Sequence, residues 1–169
     1  MTPVIFDKGR MRIEKMTVTL PSGRNLDRIV VRPGHAVSML PVEGDHCYLI
    51  RQYRYPIKDW ILEAPAGTME TGEKPIETAH RELIEETCMR AEELIPRGFI
   101  YTTPGFTDEI IWLFEARGLT PSEEFSPDED EKIEVMKVPI ADLAEMIHDG
   151  RIVDAKTICL AVSCLGWGQ

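Results

Sequence analysis

The sequence predicts an α+β fold, or a sheet sandwiched between helices, on three observations. Alternating apolar and polar segments run through the first part of the chain. Helical spacing is confined to a stretch after Gly72 and to the C-terminal end. Strands and helices do not alternate regularly, which argues against a uniformly parallel sheet. A chain of 169 residues suits one compact domain with room for a small appended arm.

The elements follow in order. Residues 10–20 alternate, Pro21-Ser22-Gly23-Arg24 is a turn, and residues 25–31 resume the strand pattern, giving an N-terminal antiparallel hairpin. Arg32-Pro33-Gly34 breaks it. Residues 1–34 are therefore expected to form a β subdomain, and residues 35–169 the main domain. Residues 36–40 and 46–51 read as strands joined by the turn Glu43-Gly44-Asp45. Pro75 suits a first helical turn, and Ile76, Ala79 and Leu83, with His80 beside them, recur at helical spacing as far as Thr87. Strands return at 97–102, 109–116 and 132–138. Two helices close the chain: 141–149, stopped by Gly150, and 155–165, with Asp154 as N-cap.

Composition narrows the function. No apolar run approaches the roughly 18–20 residues of a membrane-spanning helix. Residues 1–7 lack the basic flank and apolar stretch of a signal peptide, so a cytoplasmic protein without membrane contact is expected. Cys47, Cys88, Cys159 and Cys164 are scattered, with neither disulfide nor zinc spacing, and read as small buried thiols. A formal charge of −10 disfavours nucleic acid, whose binding ordinarily takes a basic patch. It is compatible with a phosphate-bearing small molecule, because carboxylates can gather divalent cations that invert the local field.

Glu82, Glu85 and Glu86 stand at i, i+3 and i+4, hence on one helical face. Like charges so spaced repel by a few tenths of a kcal/mol, a term that bound Mg²⁺ or Mn²⁺ would reverse. For the helix alone, the alternative is a solvated face with Arg81 paired to Glu77 or Glu85.

The wider pattern is Gly67, five residues, Glu73, seven residues, then Arg81-Glu82-Leu83-Ile84-Glu85-Glu86-Thr87-Cys88-Met89. It resembles the Nudix box at every specified position except Cys88, which stands where the family has a second glycine. A glycine there ends a helix in left-handed conformation, at a cost of roughly 1–2 kcal/mol to any other residue, so strain or a shifted helix end is expected. The resemblance implies a Nudix fold: a loop, helix, loop box on a mixed β-sheet between helices (α/β/α). It further implies Glu82, Glu86 and the carbonyl of Ala66 as metal ligands, and Glu85 as ligand or general base. Glu73 and Arg81 would brace the ligands.

Three further segments resemble the ADP-ribose pyrophosphatases within that family: Arg51-Gln52-Tyr53-Arg54, Glu63-Ala64-Pro65-Ala66-Gly67, and Thr103-Pro104-Gly105-Phe106-Thr107-Asp108-Glu109. Arg51 and Arg54 suit the bidentate grip of a pyrophosphate. Gly105 would let backbone approach a ribose. In the acidic loop 122–134, the resemblance gives Glu129 as candidate base, with Glu85 its rival, and Glu131 as a further ligand. The implied reaction is Mg²⁺-dependent hydrolysis of ADP-ribose to AMP and ribose 5-phosphate. Alternatives are another nucleoside diphosphate sugar or dinucleotide, or a non-catalytic nucleotide sensor. The resemblance also implies a homodimer whose N-terminal strands cross to the partner.

Overall fold

A computed structural model describes residues 4–124 and 133–166. Two sheets organise the chain. The first is antiparallel in the order β1-β2-β3, built from β1 (Val4–Lys8), β2 (Met11–Thr19) and β3 (Asn25–Arg32). The second is mixed and seven-stranded. Its main path is β10-β5-β4-β9-β8, from β4 (Ala36–Glu43), β5 (His46–Arg54), β8 (Met89–Tyr101), β9 (Ile110–Pro121) and β10 (Ile133–Pro139). Short strands β6 (Asp59–Glu63) and β7 (Ala66–Thr68) pair with β5 and β4. The central β4–β9 pair is parallel, and its other neighbours are antiparallel.

Helices cover both faces. On one, Ala79 and Leu83 of α1 (Pro75–Thr87) pack with Val37, Met39 and Phe114. On the other, α2 (Leu143–His148) and α3 (Ala155–Leu165) bring Leu143, Met146 and Leu160 against Leu40, Leu49 and Leu113. The sheet is thus sandwiched between helices, because each of its faces carries apolar residues that need cover.

The differences from expectation have local causes. Strand β1 was not foreseen; all five of its residues are exposed, so they carry no burial pattern. Strands β6 and β7 were not foreseen because they are short and follow Lys58, with φ 56°, and Pro65, where turns are the simpler reading. Strand β8 starts at Met89, directly after α1, and not at Arg97. The apolar stripe of α1 runs through Ala79, Leu83 and Ile84, while Ile76 in the first turn is exposed. The segment expected as one helix over 141–149 is a 3-10 turn, Ile140–Asp142, followed by α2. Gly150 follows with φ 82°, and Asp154 caps α3 by accepting Thr157 N–H at 2.9 Å. Among the described residues no helix is long and apolar enough to cross a membrane.

The two sheets meet near the later site. The Val31 N–H donates to the Phe106 carbonyl at 2.8 Å, and Arg32 bridges Glu14, at 2.8 Å, to Asp108. The N-terminal sheet is thereby tied to the loop between β8 and β9.

Candidate active site

Helix α1 starts under firm local control. Pro75 occupies its first turn, and the Glu77 carboxylate accepts the Lys74 N–H at 2.9 Å. It ends at Cys88, with φ 54° and ψ 30°, whose N–H donates to Ile84 O at 2.8 Å. The expected strain is present and the helix end is not shifted. The residue is held left-handed where glycine would sit freely. Its thiol is exposed, against the expectation of buried thiols. Cys47 is buried, and desolvation pushes that thiol up to about 12.

One face of α1 forms the wall of a cavity of about 880 Å³. Glu82, Glu85, Glu86 and Arg81 all line it. Nη1 of Arg81 donates to Glu82 at 2.7 Å and to Glu85 at 2.9 Å. Its Nε and Nη2 meet Glu73 at 3.2 Å, and Nη2 also reaches the Thr68 carbonyl at 3.2 Å. Among the described pairings, then, Arg81 engages Glu73, Glu82 and Glu85, and Glu77 turns back to the helix start. Arg81 holds the Glu73 carboxyl well down, to about 2. Burial drives Glu82 upward against the pull of Arg81. For Arg81, burial opposes the charge, but its bonds and fields from Glu73, Glu82 and Glu85 outweigh it and raise the guanidinium.

Close approach explains Gly67. A Cβ built there would lie 1.7 Å from the Glu82 carboxyl carbon, so only glycine admits that carboxylate against the β7 backbone. The adjacent Ala66 N–H donates to Glu86 at 2.7 Å, fixing the buried Glu86 carboxylate at the cavity edge.

Cations line the same cavity. Arg54 grips buried Glu63 through two bonds of 2.6 and 2.8 Å. Lys156, in the first turn of α3, also bonds Glu63 and meets Asp154 at 3.0 Å. Burial works against the charge of Arg54; the Glu63 bonds, with the fields of Glu63, Glu86 and Asp154, prevail and raise it. From the first sheet, Gly9 and Arg10 reach the cavity, with Arg10 donating to the Thr68 hydroxyl. Sequence reasoning singled out none of Arg10, Gln52, Glu63 or Lys156 as site residues. The period-two spacing of Gln52 and Arg54 was the available signal, since alternate residues of a strand share a face.

That alternation also separates the two predicted arginines. Arg51 is not among the residues lining the cavity; it lies 5.0 Å over the Trp60 ring and reaches Glu134 at 3.5 Å. Gly105 likewise lies outside the cavity, in the exposed turn joined to β3. Glu129 and Glu131 fall outside the described residues. Ala66, Glu82, Glu85, Glu86, Arg81 and Arg54 are brought together around one cavity, with Glu73 behind Arg81.

Among the described residues no three His, Cys, Asp or Glu side chains are arranged to hold a metal ion. Arg81 lies between Glu82 and Glu85, and the Ala66 amide occupies Glu86. The donor chemistry nevertheless fits a hard cation. Glu73, Glu82, Glu85 and Glu86 outnumber Arg81, and oxygen ligands are what Mg²⁺ takes.

A glutamate-lined helix beside a cationic cluster, carried on a mixed sheet between helices, is the construction of a hydrolase acting in an open polar cleft. Residues 32–160 match the NUDIX domain, and the chain belongs to the Nudix hydrolase family. It is 41% identical over 142 residues to an ADP-ribose pyrophosphatase of Bacillus subtilis (strain 168), covering 83% of this chain and 77% of that protein. It is 36% identical over 159 residues to a methanol dehydrogenase activator of Bacillus methanolicus, covering 93% and 86%. The crystal structure of an ADP compounds hydrolase superposes with a TM-score of 0.84 at 22% identity, covering 98% of this chain and 93% of that one, a likeness of fold.

Proposed function

We propose that the chain is a Mg²⁺-dependent pyrophosphatase that hydrolyses ADP-ribose to AMP and ribose 5-phosphate. The observation that carries this is that the glutamates of α1 and the Arg54–Lys156 cluster line one cavity. Such a cleft can hold a polyanion from its cationic side and gather cations on its acidic side. The pyrophosphatase from Bacillus subtilis supports the choice of substrate.

In this reading Glu82, Glu86, the Ala66 carbonyl and Glu131 hold Mg²⁺, with Mn²⁺ as substitute. Bound there, the ion would neutralise diphosphate charge and lower the pKa of a water. Arg54 orients the diphosphate, while Glu63 and Lys156 hold Arg54 in place. Arg81, anchored by Glu73, keeps Glu82 and Glu85 turned toward the cleft. Glu129 or Glu85 removes the proton from the attacking water. Arg51 and Gly105 do not line the described cavity; their contact with substrate, and a homodimer in which residues 1–34 cross to the partner, are further parts of this reading. The working compartment is the cytoplasm.

Steady-state hydrolysis of ADP-ribose, GDP-mannose, dinucleoside polyphosphates and nucleoside triphosphates, each with Mg²⁺ or EDTA, tests the proposal. Expected is Mg²⁺-dependent release of AMP and ribose 5-phosphate, with ADP-ribose the best substrate. Preference for another compound would give the alternative nucleotide-sugar or dinucleotide hydrolase, and no turnover of any would leave the sensor.

A further inference from the structure

The Arg54–Lys156 cluster is a balanced set of charges. Glu63, 1% exposed, accepts Nε and Nη2 of Arg54 at 2.6 and 2.8 Å and also Nζ of Lys156. The same Nζ meets Asp154 at 3.0 Å. Asp154 is fixed by the helix it caps: its other oxygen accepts the Thr157 N–H at 2.9 Å and the Thr157 hydroxyl at 2.6 Å, and that hydroxyl accepts the Ala64 N–H at 2.7 Å. Two carboxylates thus stand against two cations. Both cations line the cavity, but Lys156 is 8% exposed, whereas the Arg54 side chain is 39% exposed. Arg54 is therefore the one that a ligand can reach, and Glu63 takes a single edge of its guanidinium fork.

Packing alone does not account for Lys156. Lysine is rarely buried, and a buried ion pair is often no more stabilising than apolar side chains of similar volume. Arg54 already satisfies Glu63 through two bonds. What Lys156 adds is charge. Asp154 is required as the cap of α3, and its field reaches Arg54. Without Lys156, Glu63 and Asp154 would outnumber Arg54, and a phosphate approaching that arginine would meet a net negative surrounding. In a largely buried setting such a field is weakly screened by water and salt. We infer that Lys156 is a positioning residue for phosphate binding, which offsets the charge of Asp154 and shares Glu63, so that Arg54 presents its own charge to a diphosphate. The inference rests on the proposed reading of Arg54 as the residue that orients the diphosphate.

The test compares full-length wild type, Lys156→Met, Asp154→Asn and the variant carrying both, each with Mg²⁺. Hydrolysis of ADP-ribose is measured beside competitive inhibition by ADP, which has the diphosphate and no distal sugar. In Lys156→Met, both KM and the ADP inhibition constant should rise on the order of 10-fold, while kcat falls far less. Asparagine still accepts the Thr157 N–H as N-cap but carries no charge. In Asp154→Asn the inhibition constant should therefore fall, by about two- to five-fold. The double variant again sets one carboxylate against one cation, so its inhibition constant should return to within roughly three-fold of wild type. A merely structural role predicts the opposite: weaker binding in Asp154→Asn, and a double variant no better than Lys156→Met. Either result, or unaltered constants in Lys156→Met or Asp154→Asn, would overturn the assignment. If Lys156→Met does not fold, the direction of the change in Asp154→Asn decides alone. Failure of the substrate reading is distinguishable: wild type itself would then not turn over ADP-ribose, and the inference would fall with it.

Discussion

Replacing Gly67 by alanine should expose how tightly β7 and α1 are fitted. The new Cβ would lie 1.7 Å from Cδ of Glu82 and 2.0 and 2.1 Å from its two carboxylate oxygens. No rotation of alanine relieves contacts this short, so either the backbone of β7 retreats or Glu82 swings away. Overpacking costs roughly 1–3 kcal/mol. Moving Glu82 instead sacrifices its 2.7 Å bond to Arg81, a charge-assisted contact in the range of about 1.5–3 kcal/mol. The two routes give similar magnitudes, and for a chain of this size that lowers the thermal midpoint by roughly 2–12 °C. Calorimetry on Gly67→Ala, Glu82→Ala and the double variant reads it directly. Because the clash needs both side chains, adding Gly67→Ala to Glu82→Ala should cost little more than Glu82→Ala alone, a clear non-additivity. Turnover of the double variant should stay low, since Glu82 is gone. A Gly67→Ala protein with wild-type midpoint and turnover would refute the steric account, as would strictly additive losses.

Other substitutions probe separate parts of the structure. Cys88→Gly should raise the midpoint by about 2–4 °C, from a net gain of roughly 1 kcal/mol once left-handed strain is relieved and the added freedom of the unfolded chain is charged against it. An unchanged or lower midpoint would mean that the exposed thiol or the helix end does something else. Glu63→Ala should destabilise strongly in urea, by roughly 3–5 kcal/mol before the partial exposure of Arg54 pulls the figure toward the lower end. A loss below 1 kcal/mol would show that Arg54 and Lys156 are solvated without it. Glu73 provides a pH signature. Its carboxyl is depressed to about 2 by Arg81, so its contribution is complete above the unfolded-state value and disappears as pH falls through the folded one. The midpoint difference between wild type and Glu73→Gln should be full near pH 6 and shrink below roughly pH 4, the ordinary range of a free glutamate. A difference independent of pH would contradict the Arg81 pairing.

The box helix was legible in the sequence because its period and its Pro75 start are local, and the C-terminal helix because Asp154 and the following apolar run are adjacent in sequence. The glutamates and Arg81 were legible through their spacing, and the structure brings them to one wall. What was hidden depended on contacts between distant segments. Glu63, Arg54 and Lys156 come from β6, β5 and α3, and no local pattern announces that a lysine in an apolar helix will meet a carboxylate 93 positions away. Arg10 reaches the cavity only because the first sheet folds back over the second. Arg51 looked equivalent to Arg54, yet an odd separation along one strand sends the two to opposite faces. Strand β1 was invisible because an exposed strand needs no apolar alternation.

The central claim is that the carboxylates of α1 serve metal-assisted cleavage of a diphosphate. Its most direct test is turnover of ADP-ribose by Glu86→Gln beside wild type, across a Mg²⁺ titration. Glutamine retains an oxygen to accept the Ala66 N–H and removes the charge, so the folded state should survive with an unchanged circular dichroism spectrum. Turnover should fall by orders of magnitude, and its half-saturating Mg²⁺ concentration should rise. Wild-type turnover in Glu86→Gln, or cleavage by the native protein that persists undiminished in EDTA, would contradict the claim.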